Sequence, residues 1–142
     1  MSVFALALII PQFFVAGGDT SAIDTGCLSG VVWEWVESLD PYDGGTVYKP
    51  DSLSAGHTFQ FAEDGTFVED YPGGCCRYEG EWTLGEDPTQ LTLDYTDERR
   101  DGDRIVYHIR ELSADVLKLG IRGRHGVVIE TYKPSENDAG KE

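Results

Sequence analysis

The chain has 142 residues, 40% hydrophobic and 11% aromatic, which suits one domain with a modest core and argues against wholesale disorder. Its 26 acids outnumber 11 bases, giving a formal charge of −15. A surface of that sign repels phosphate backbones and anionic lipid, so nucleic-acid and membrane-surface partners are set aside.

The first eighteen residues, "MSVFALALIIPQFFVAGG", read as a leader. Val3 to Ile10 resembles the apolar segment of a signal peptide, and Ala16-Gly17-Gly18 supplies the small residues a signal peptidase requires. Pro11 interrupts the run short of the ~20 apolar residues a spanning helix needs, so no membrane span is expected. Export to the periplasm or outside the cell is the expectation. Residues 19–27 read as a linker ending at Cys27. That cysteine, in "IDTGCLSG", is also where an acyl anchor would attach. Asp24 stands where a large aliphatic residue is expected, so a lipoprotein is the lesser alternative.

From Gly30 onward turn residues recur every ~8–12 positions, the spacing of an all-β sandwich or barrel. "VVWEWVESL" alternates Trp33, Trp35 and Glu37 against Val32, Glu34 and Val36. "HTFQFAE" sets Phe59 and Phe61 on one face, and Asp64-Gly65 signals a two-residue hairpin into "TFVEDY". Pro72-Gly73-Gly74 turns the chain again, and "CRYEGEWTL" aligns Tyr78, Trp82 and Leu84. "QLTLDY", "RIVYHIREL" and "DVLKLGIRG" follow with Leu91, Leu93, Tyr95; Ile105, Tyr107, Ile109; and Leu117, Leu119, Ile121. "GVVIETYK" closes the series with Val127, Ile129, Thr131 opposite Val128, Glu130, Tyr132. Eight period-2 segments joined by tight turns pair as an antiparallel meander, and eight such strands can close on themselves. Residues 40–55, rich in Gly, Pro and Asp, read as a loop over one open end. Residues 134–142 read as a frayed polar tail.

In serial order, "LSGVVWEWVES", "TFQFAEDGTF", "YEGEWTL", "IRELSADVLKL" and "ETYK" resemble the bacterial lipocalin-like proteins, small calycin-type barrels, over residues 28–133. The resemblance implies an eight-stranded up-and-down barrel with an apolar interior. It also implies that a small hydrophobic molecule binds at the open end, but it fixes no catalytic residue and no ligand; no metal, no cofactor and a monomer are separate expectations.

Three cysteines and three histidines without C-x₂-C or paired-His spacing argue against structural zinc. In an exported chain the expected disulfide joins Cys27 to Cys75 or Cys76, closing a loop of ~50 residues worth ~4 kcal/mol. Trp33, Trp35, Phe61, Tyr78, Trp82, Tyr95 and Tyr107 are the candidate ligand contacts, with core filling as the competing role. Parity turns Tyr78, Trp82, Tyr95 and Tyr107 inward. No Gly-x-Ser-x-Gly, His-Glu-x-x-His or phosphate loop occurs, so an enzyme is not expected. Glu79 and Glu81 share a strand face that reads as solvated, and "DERRDGDR" reads as a charged hairpin tip. The alternative to a carrier is a filled barrel acting through its outer surface or residues 40–55.

Overall fold

The computed structural model describes residues 23–52 and 54–136; the leader and residues 137–142 of the tail lie outside the described residues. Nine strands follow in chain order: β1 (Val32–Asp40), β2 (Thr46–Tyr48), β3 (Thr58–Phe61), β4 (Thr66–Asp70), β5 (Arg77–Leu84), β6 (Gln90–Tyr95), β7 (Arg104–Leu112), β8 (Leu117–Gly123) and β9 (Gly126–Pro134). Every pairing between strands is antiparallel. β1 and then β3 through β9 pair in sequence order, and β9 returns to β1, closing an eight-stranded barrel. The fold class is therefore the all-β antiparallel barrel that the eight alternating segments imply. Closure removes the free sheet edges on which such strands would otherwise associate between molecules.

The ninth strand was not expected. Within residues 40–55, β2 pairs with Ser38–Asp40, just past the point where β1 parts from β3. Its ladder has three residues, too few for a period-2 pattern to be visible. The Asp64-Gly65 turn also differs in detail. Ala62 N–H bonds to Thr66 carbonyl at 2.8 Å, and Gly65 N–H bonds back to Ala62 at 3.0 Å, leaving a three-residue loop. Gly65 takes φ +93°, the left-handed conformation this loop requires at its last residue.

One end of the barrel is plugged. Leu28 and Trp33 are fully buried there, and the Trp33 indole N–H donates to the Leu28 carbonyl at 3.0 Å. Single bridges from Ile23 to Leu112 and from Ser29 to Phe61 tie the preceding segment to the same end. Within the stretch read as linker, residues 23–27 thus lie against the barrel, with a 3-10 turn at Thr25–Cys27. Above this base Phe59, Phe61, Phe67, Leu91, Leu93, Ile109, Leu117 and Leu119 fill the interior.

Two bulges, one on β1 and one on β7 between Ile109 and Glu111, set which side chains face inward. The first lies between Trp35 and Glu37 and places Ser38 opposite Glu130. The inward series on β1 is therefore Trp33, Trp35, Ser38, and Glu37 turns outward against the expected alternation. A bulge inserts one residue on one strand, which flips parity beyond it. On β9 the inward set is Val128, Glu130 and Tyr132, because these stand directly opposite Ile121, Leu119 and Leu117.

The Cys27 staple is not formed. Cys75 is bonded to Cys76, and Cys27 is a free thiol. The reason is distance. Cys27 sits beside Leu28 at the plugged end, whereas Cys75 and Cys76 follow the far end of β4. Five residues at ~3.3 Å each put those ends on the order of 15 Å apart, beyond the ~7 Å Cα reach of a disulfide.

Gly80 lies at a close approach between strands. A Cβ there would collide with the Asp94 carbonyl oxygen and lie 2.6 Å from the Phe67 ring. Gly80→Ala should lower stability by roughly 1–3 kcal/mol, seen as a lower urea midpoint at unchanged m value.

Candidate functional site

The end opposite the plug is built from the β1–β3 connection, the β4–β5 turn, the β6–β7 loop and the β8–β9 turn. There the apolar interior gives way to a polar cluster centred on Glu69. Glu69 lies in the inward register of β4, two residues past Phe67, and is 4% exposed. Its Oε2 accepts from His57 Nε2 and from the Tyr71 hydroxyl, each at 2.9 Å. Its Oε1 accepts from the Tyr95 hydroxyl at 2.7 Å and from Arg100 Nη1 at 3.3 Å.

Burial pushes the Glu69 carboxyl up. The hydrogen bonds from His57, Tyr95 and Tyr71, with the charge of His57, more than offset that and hold it below its ordinary value. The same burial and the neighbouring Glu69 charge raise the Tyr71 and Tyr95 hydroxyls, which stay protonated as donors. Rings brace the cluster. The His57 and Tyr71 rings stack with centroids 4.4 Å apart, and the Arg100 guanidinium lies 3.8 Å from the Tyr95 ring centroid and 5.1 Å from that of Tyr78. Arg100 also bonds Asp103 within the β6–β7 loop at 3.2 Å, and its bond to Glu69 holds that charged loop over the mouth.

A second carboxylate faces the interior on β9. Glu130 Oε1 accepts from the Tyr132 hydroxyl at 2.8 Å. Burial raises the Glu130 carboxyl above its ordinary value, the Tyr132 hydrogen bond and His57 oppose that rise, and the charge of Glu69 adds to it. Tyr132 is wholly buried, 5.7 Å from Phe59 and 6.4 Å from His57 by ring centroids.

The seven aromatics read from the sequence divide between the two ends. Trp33, Phe61 and Trp82 gather at the base, Trp82 meeting Phe61 edge-on at 6.0 Å and donating its indole N–H to Ala62 at 2.8 Å. Tyr78 and Tyr95 stand at the mouth with centroids 6.4 Å apart. Trp35 is half-buried and donates to Ser38 Oγ at 2.9 Å, while Tyr107 faces Phe59 from across the interior at 6.4 Å. Tyr78, Trp82, Tyr95 and Tyr107 all point inward, as their parity requires. Glu79 and Glu81 are exposed on the outer face.

His57, Glu69, Arg100 and Glu130 were not singled out from the sequence. For Glu69 and Glu130 a signal existed: each is an acid in a strand register otherwise occupied by Phe67 and Tyr71, or by Val128 and Tyr132. Arg100 lies in an irregular loop, where parity carries no information.

Among the described residues no three His, Cys, Asp or Glu side chains converge as metal ligands, and no helix is long and apolar enough to cross a membrane. An outer groove of about 360 Å³ is bordered by Glu34, Val36, Lys133, Pro134 and Glu136. Its polar lining is made of solvated surface charges, so the convergent groups inside the barrel make the stronger candidate.

Fold and site together define a closed eight-stranded antiparallel barrel, plugged at one end and polar at the other, a form compatible with a lipocalin-like fold. No family model and no curated protein matches the chain.

Proposed function

We propose that the chain is an exported lipocalin-like protein that binds or carries a small, largely apolar molecule entering at the polar end of the barrel. The observation that carries this reading is the asymmetry of the interior. Below lie phenylalanines and leucines, and above them converge Tyr78, Tyr95, Tyr107, Glu69 and Glu130. Apolar walls with a few placed polar groups are what a small-molecule site needs: the walls supply affinity and the polar groups orient the ligand.

The test is a comparison of native and denatured mass spectra of protein taken from its own host. A native excess of a few hundred daltons that disappears on denaturation is the expected result, and loss of that excess in Tyr107→Phe with the fold retained would localise the cargo. Native and denatured masses that agree would favour a filled barrel acting through its surface. One observation supports that second reading: Leu39, Tyr42, Val47 and Tyr48, along β1, β2 and the turn between them, are each 40–54% exposed.

A further inference from the structure

The two interior carboxylates are not equivalent. Glu69 has four donors on its two oxygens and carries the cation Arg100 with it. Glu130 has one donor, the Tyr132 hydroxyl, on Oε1, and its Oε2 has no hydrogen-bond partner among the described residues. No Lys or Arg pairs with Glu130. Two strands away Tyr107, only 6% exposed, has a hydroxyl with no hydrogen-bond partner either. Buried polar groups are otherwise paired in this barrel: among the described residues no fully buried side-chain nitrogen or oxygen lacks a partner. The Tyr107 hydroxyl is therefore not wholly sealed off, and part of that residue's small exposure lies there.

We propose that Glu130 Oε2 and the Tyr107 hydroxyl oxygen form the polar subsite of the barrel, and that they receive the protonated amino group of an apolar amine. This rests on the carrier reading above and adds the chemical class of the cargo. An ammonium group has only donors, and both unfilled positions can accept. It supplies the cation that Glu130 lacks and Glu69 already possesses. The His57, Tyr107 and Tyr132 rings, which surround Phe59, offer faces to a cation, and the apolar body lodges by parting the phenylalanines that otherwise fill the interior. The groups that face Glu130 are Ser38 across β1, His57, Glu69, Tyr107 and Tyr132, and among these only His57 can acquire positive charge. An anionic ligand would meet two carboxylates at this site. A neutral alcohol would bond Glu130 without balancing its charge.

The test is calorimetric titration of the full chain with n-octylamine, 1-octanol and octanoate at neutral pH and moderate salt. One saturable site is expected, with octylamine bound about tenfold or more tightly than octanol and octanoate weakest. Glu130→Gln keeps the side-chain volume and should abolish the amine preference while octanol binding persists. Tyr107→Phe should weaken octylamine several-fold, and circular dichroism of both variants checks the fold. Octanol or octanoate binding as tightly as octylamine would overturn the amine assignment and leave the carrier reading intact. Octylamine binding at many salt-sensitive sites, unchanged in Glu130→Gln, would assign the effect to the acidic surface and overturn the subsite. No saturable binding of any of the three would overturn both readings.

Discussion

Glu69→Gln should destabilise the barrel by about 3 kcal/mol, because removing one partner of a buried ion pair strands the other. The amide oxygen can still accept from some of the four donors. Arg100 then faces the mouth without its interior counter-charge, and the amide N–H₂ is turned toward hydroxyls and a histidine already committed as donors. Tyr95→Phe removes one donor of four and should cost only about 1 kcal/mol by the same measure, urea denaturation.

The change at Glu69 also has a pH signature. Its carboxyl is held below the ordinary value of 4.5 in the folded protein. Its contribution is therefore complete above that value and is lost as pH falls through the lower folded one. Glu130 works in the opposite sense. Burial raises it, so its contribution is complete below 4.5 and is lost as pH rises through the raised folded value. Wild type should show a steep acid limb below about pH 4.5. In Glu69→Gln that limb should be shallower, and what remains should come from exposed Asp64 and Asp87 and from half-buried Asp97, whose carboxyls are each lowered by local hydrogen bonds. An acid limb as steep in the variant as in wild type would show that the cluster is not what holds the mouth together.

Trp33→Ala should cost about 3–5 kcal/mol, the range for deleting a fully buried large aromatic side chain. The indole is wholly buried at the base, bonds the Leu28 carbonyl, and pairs across β1 with Phe59 and Pro134. Removing it opens a cavity and orphans that carbonyl. It also loosens the plug that closes one end. A fall in melting temperature on the order of 10 °C is expected in a thermal scan. Trp35→Ala is the internal comparison. That indole is half-buried and bonded to Ser38, so its loss should cost clearly less. Equal costs at the two positions would mean that Trp35, and not the base, sets the packing.

The strands were legible because nearly all of them alternate cleanly. "QLTLDY" and "RIVYHIREL" bury one set of side chains and expose the other, and period 2 leaves no helical alternative. What escaped the sequence did so for physical reasons. β2 is too short to alternate. The bulge after Trp35 costs one residue of register, and nothing in "WVES" announces it. The cysteine pairing depended on which end of the barrel each residue reached, a property of the closed fold and not of spacing along the chain. At the site, the inward tyrosines were visible from parity. The acids between them were not recognised, since a glutamate in a strand is ordinarily solvated. Only the closed barrel reveals that Glu69 is buried and that Glu130 turns to the interior beside it.

The pairing of β1 with β9 has a kinetic consequence. Trp33 meets Pro134, so the contact that closes the barrel joins residues about a hundred positions apart. The other barrel strands pair with a neighbour only a turn or a short connection away and can form as local hairpins, each at a small loss of chain entropy. The last seam is different: the chain must fix nearly all of its length before that contact is rewarded. During synthesis this means that the barrel stays an open sheet, with β1 unpaired along one edge, until β9 has left the ribosome. For that interval a barrel that is closed when complete has two open edges, and the chain's strongly negative charge works against neighbouring chains sharing them.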